Sequence, residues 1–91
     1  MAIQSASEFE AIIMQVMNRI EKELVALGSK PSLETSRDAL RRIQAVARDP
    51  VKLKATRDKL DSVTETITNE LKDDFVMNQL WDLLDYIDYR T

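Results

Sequence analysis

Leu53, Thr56, Leu60, Val63, Ile67 and Leu71 recur at alternating spacings of three and four, a single stripe along one side of a helix. From Asp73 to Arg90 the chain reads DDFVMNQLWDLLDYIDYR. Here Val76, Met77, Leu80, Leu83, Leu84 and Ile87 form a broad apolar face that points nearly opposite to the earlier stripe on a wheel of about 100° per residue. One straight helix cannot serve one core with both halves. Either the chain turns at Lys72 to Asp74, with Asp73 or Asp74 as N-cap of a further helix, or the helix continues and its distal half packs against something else. Neither Gly nor Pro marks a break here. The turn is the expectation.

The preceding segments supply partners for that face. Ser5 and Ser7 each precede a Glu by three residues, the spacing of a capping box, so a helix begins there. Phe9, Ile12, Ile13, Val16, Met17, Ile20, Leu24 and Leu27 form its inward stripe, and Gly28 stands where a left-handed cap is cheapest. Pro31 excludes Lys30 from the helical region, which makes Ser32 the expected cap of a second helix. That helix turns Ser36, Ala39, Leu40, Ile43, Val46 and Ala47 inward and carries Asp38 and Arg42 at i, i+4. Asp49 and Pro50 read as N-cap and first helical residue of a third helix. Links this short favour antiparallel neighbours.

The expectation is therefore all-α, a small antiparallel four-helix bundle with helices near 6–28, 32–48, 50–71 and 74–90, in one domain spanning 1–91. The alternative is three helices whose long, continuous C-terminal member packs on a partner or in a dimer. Ile13, Ile20, Leu40, Ile43, Leu60, Val63 and Ile67 should be buried together. One Gly and two Pro leave little material for hairpins, while 44% hydrophobic and 32% charged residues suit a soluble globule. With no Cys the chain needs no oxidising compartment, which points to a cytoplasmic location. No apolar run approaches the length of a membrane span, and MAIQSASEFE lacks the basic start and apolar middle of a signal peptide, so a soluble, unprocessed chain without a membrane partner is expected.

Catalysis has little to build on. His and Cys are absent, the one Gly is a helix cap, and no Glu-x-x-His pair is present, so neither an enzyme nor a cofactor or metal is expected. Asp82, Asp85 and Asp88 lie three apart, but a straight helix cannot converge them on a cation as a curved loop does. They read as an acidic face set toward a basic neighbour, such as the 37–60 hairpin. The net charge of −3 is uneven. Arg37, Arg41, Arg42, Arg48, Lys52, Lys54, Arg57 and Lys59 against Asp38, Asp49 and Asp58 leave 37–60 at +5. Lys72 and Arg90 against eight carboxylates leave 61–91 at −6.

Two binding readings follow. Apolar and aromatic residues cover more than half the circumference of the last segment, more than one face of a small bundle buries. Phe75, Trp81, Tyr86 and Tyr89, with Asp82 and Asp85, are therefore the candidate contacts to another protein or to a second copy in a homodimer, as in an adaptor, chaperone or regulatory subunit. The alternative is an anion or nucleic-acid surface on Arg37, Arg41, Arg42 and Arg48. Nucleic acid is the less expected partner, because no aromatics interleave with these arginines and the pI is 4.9.

Overall fold

The structure is a computed structural model that describes residues 3–90, the side chain of Arg90 excepted. α1 spans Ala6–Leu27. Ser5 caps it, its hydroxyl accepting from the Glu8 amide at 3.2 Å, and Gly28 ends it at φ 85° with its N–H donated to Leu24. α2, Pro31–Ala45, begins one residue earlier than expected. Pro31 is its first helical residue and Lys30 its N-cap, without a side-chain cap bond, so the capping role assigned to Ser32 is corrected. Pro has no amide to satisfy in a first turn, which removes part of the need for a cap. Asp49 behaves as its position implies: Oδ1 accepts from the amides of Val51 and Lys52 at 3.1 and 3.2 Å.

The expected third helix is interrupted. α3 covers Pro50–Ala55 and α4 covers Arg57–Leu71, with Thr56 between them. The Thr56 hydroxyl donates to the Leu53 carbonyl at 2.6 Å and its amide to the same carbonyl at 3.0 Å. Two donors on the i−3 oxygen tighten the last turn of α3. The interruption lets α3 pack on α5 as well as on α4.

After α4 the chain turns in two residues. Lys72 takes the left-handed conformation, φ 51° and ψ 44°, its N–H donated to Thr68 at 3.1 Å. Asp73 then caps α5, Asp74–Arg90, with Oδ1 accepting from the amides of Phe75 and Val76 at 3.0 and 3.2 Å. The change of phase in the sequence is met by a change of direction.

The four long helices close a ring in which α1 and α4 each pack on both α2 and α5. Ion pairs fix the direction of neighbours. Glu10 of α1 meets Arg48, just beyond α2, at 3.0 Å, and Glu21 meets Arg37 at 2.9 Å, so advancing along α1 means retreating along α2. α1 and α5 are likewise antiparallel, Gln15 bonding Gln79 and Arg19 pairing with Asp73. The Cα radius of gyration, 12.3 Å, matches the ~12 Å of a compact chain of this length. Among the described residues no extended arm is present.

Inside the ring lie all seven residues expected to be buried together. Leu33 of α2 joins them although the sequence pattern did not single it out, and Leu27 is exposed at the end of α1 rather than inward. Among the described residues three polar side chains are buried with partners. Ser36 donates to the Ser32 carbonyl, Thr64 to the Leu60 carbonyl, and Gln79 to Gln15 Oε1 at 2.6 Å. Such satisfied groups avoid the penalty of an unmade bond.

Lys72 carries a side chain at a backbone conformation that costs a non-glycine residue about 1–2 kcal/mol. Lys72→Gly removes that strain and adds unfolded-chain entropy, for a net gain of about 0.5–1 kcal/mol. Thermal unfolding should show a rise of about 4 °C. An unchanged or lower melting temperature contradicts the strained turn.

Candidate functional site: the groove between the last two helices

α5 presents three kinds of surface. Val76, Gln79, Leu80, Leu83, Leu84 and Ile87 are buried. On the shoulder toward α1, Tyr86 is half-buried with its ring 5.0 Å from Phe9 at a tilt of 37°. By periodicity Phe75, Asp82 and Tyr89 share that shoulder. On the shoulder toward α4 lie Met77, Trp81 and Asp88. The six candidate contact residues are thus divided: Trp81 faces one neighbour, Tyr86 another, and Asp85 stands exposed between them. Phe75 and Tyr89 project furthest, 69% and 86% exposed, while Trp81 is 49% exposed.

Trp81 is exposed because a groove opens beside it. Asp61, Thr64, Glu65, Thr68 and Asn69 of α4 form one wall, Met77 and Trp81 of α5 the other, around a space of about 270 Å³. Asp61, Glu65 and Asn69 recur every four residues, so the rim of α4 is one straight polar row. Sequence reasoning missed this wall, since the row read only as a solvated face; a narrow apolar stripe on one helix beside a wide one on the next was the available signal. A second hollow of about 310 Å³ lies between α2 and α4, where Ser and Thr residues and Lys59 make up most of the lining. Ser36 there already donates to the Ser32 carbonyl.

One end of the α4–α5 groove is closed by charge. Arg57 Nε donates to Asp88 Oδ1 at 3.0 Å, and Arg57 also lies 3.9 Å from Asp61. The acidic face thus does meet a basic neighbour in the 37–60 segment, at Asp88. Elsewhere Arg19 bridges Glu23 and Asp73, and Lys30 pairs with Glu70 at 2.7 Å.

The candidate anion surface is largely engaged within the fold. Arg37 holds Glu21 and Asp38, Arg48 holds Glu10 and Ser7, and Arg41 lies 3.6 Å from Asp38. Arg42 is exposed and has no ion pair among the described residues, so the expected Asp38 to Arg42 pair is corrected. The Asp38 carboxylate turns to Arg37 and to Arg41 one turn on, which leaves Arg42 on the outer side of the helix.

Among the described residues no group of three or more acidic side chains is placed to hold a metal ion, and no helix is long and apolar enough to cross a membrane. No known family matches the chain, and no curated protein or solved structure is significantly similar to it.

Three carboxylates are held below their ordinary range. Hydrogen bonds from the Val76 amide, then from Arg19 and the Phe75 amide, lower Asp73; Arg57 lowers Asp88 and Lys30 lowers Glu70. Groups with depressed folded pKa values contribute stability that is full above the unfolded pKa and lost as pH falls through the folded one. With no His to titrate, stability should stay nearly flat from about pH 8 to pH 5 and fall below about pH 4. Asp73→Asn or Asp88→Asn should flatten that acid limb in denaturant titrations. A limb as steep as that of the wild type in both variants contradicts the pairing.

Proposed function

We propose that this chain is a noncatalytic protein-interaction module, of the kind an adaptor, chaperone or regulatory subunit provides, and that it binds through α5. The observation carrying the reading is the exposure of Trp81 beside Met77 in the α4–α5 groove, with Phe75 and Tyr89 projecting from the same helix. A closed helical ring with a filled core needs none of these three rings exposed for its own stability. A large ring bearing one polar tip, half sheltered by a groove, is the usual form of an interface anchor. Tyr86 has a different role in this reading. Its contact with Phe9 fixes α5 on α1 and so positions the exposed rings.

The rival reading, an anion surface on Arg37, Arg41, Arg42 and Arg48, draws less support because Arg37 and Arg48 are engaged with carboxylates of α1. Releasing those pairs would be part of the cost of binding a phosphate.

Trp81→Ala should weaken association with a captured partner, or self-association, by about 2 kcal/mol or more. Its loss of fold stability should be smaller than that of Leu84→Ala, which empties a buried site and costs about 2–5 kcal/mol. Sedimentation and affinity capture measure the first, and thermal unfolding of a dilute sample the second. If the wild type stays monomeric at high concentration and Trp81→Ala loses no captured protein, the ring is ordinary surface and the reading fails.

A further inference from the structure

We infer that the α4–α5 groove receives a basic amphipathic helix, two to three turns of which set an aliphatic anchor against Trp81 and Met77 and cations against Asp61 and Glu65; this rests on the protein-interaction reading above. The groove has two unlike walls. Asp61 and Glu65 stand on α4 one turn apart, both exposed, while the α5 wall is the indole of Trp81 and the thioether of Met77. Among the described residues no Lys or Arg lines it. Arg57 at its end donates to Asp88 at 3.0 Å and reaches Asp61 only at 3.9 Å. Asp85, one turn beyond Trp81, is exposed as well. An occupant with the same acidic character would place like charges opposite one another, and a purely apolar one would strip water from Asp61 and Glu65 without pairing them.

Length narrows the occupant further. The wall from Asp61 to Asn69 rises about 12 Å, roughly two helical turns, and two carboxylates four residues apart match cations three or four residues apart on a facing helix. Anchors at that spacing are how an amphipathic helix lies in a groove. Met77 adds adaptability, since an unbranched thioether fits anchors of different shape.

A second copy of this chain fits less well. Of its exposed apolar residues, Val51 has Lys52 and Lys54 near it but stands on α3, a helix of six residues that rises only about 9 Å, and Val25 on α1 has the acidic Glu21 as well as Lys22 one turn away. Arg19, Lys30, Arg37, Arg48 and Arg57 are already paired within their own protomer. A net charge of −3 on each copy also opposes association.

Trp81 is the only Trp, so its emission reports the groove without a label. Three synthetic peptides of about fourteen residues serve as probes: one with Leu at i, i+3, i+4 and i+7 and Lys elsewhere, one with the same Leu pattern and Glu, and one with the Lys composition scrambled. The patterned Lys peptide should shift Trp81 emission to the blue saturably, with an affinity that weakens in high salt. Asp61→Asn/Glu65→Gln, which changes charge with little change of shape, should weaken it roughly tenfold while leaving the melting temperature near that of the wild type. Glu65→Lys gives a second variant with the same expectation. Equal binding of the Glu or scrambled peptide, or undiminished binding by both variants, overturns the inference. So does a blue shift that grows with protein concentration alone and tracks a dimer in sedimentation, because the occupant is then a second copy. If Trp81→Ala loses a captured partner while the patterned Lys peptide leaves Trp81 unmoved, the interaction reading stands and the basic helix falls.

Discussion

The Asp73 carboxylate joins the two halves of this fold. One oxygen accepts the first free amides of α5, and the other accepts the guanidinium of Arg19 on α1. Capping alone would start a helix without saying where it goes. The Arg19 contact directs it back along α1, and the left-handed Lys72 supplies the reversal from α4. Because the apolar stripe changes phase across these residues, the same turn places Leu80, Leu83, Leu84 and Ile87 against the core that Leu60, Val63 and Ile67 line from the other side. A continuous helix would have left one set in water.

A set of cross-helix ion pairs serves to hold this arrangement. Glu10 with Arg48, Glu21 with Arg37, Lys30 with Glu70 and Arg57 with Asp88 each join different helices or their flanking turns. Exposed pairs contribute little stability singly. Their use is in register, since a slip of one turn would set several of them against the wrong partner. Glu65 and Asp85, which join none of these cross-links, lie beside the exposed Trp81 or close to it on α5.

Much of the fold was legible in the sequence because periodicity and capping are local. The stripes of α1 and α4, the Asp49–Pro50 start and the turn before α5 each follow from residues within one or two turns of one another. Thr56 was not legible: its spacing suits the stripe, and only the bond of its hydroxyl to Leu53 reveals a break. Nor was the choice of Asp38 between Arg41 and Arg42, since both spacings are acceptable on a helix and the rotamers decide. The aromatic candidates on α5 were read from their own helix alone. Which of them a neighbour would cover depended on the pairing of α1 with α5 and of α4 with α5. Tyr86 packs on Phe9 for that reason, and the α4 wall of the groove is not legible from α5 alone.

Arg57 and Asp88 give the most direct test that the chain turns at Lys72 and Asp73. In the folded ring their side chains touch at 3.0 Å. In one continuous helix thirty-one residues would hold them about 46 Å apart. The chain has no native Cys, so spin labels at engineered cysteines in these two positions report a single distance by dipolar spectroscopy. A distribution centred below about 20 Å is the predicted result, and one centred near 46 Å, at the rise per residue of a straight helix, would contradict it.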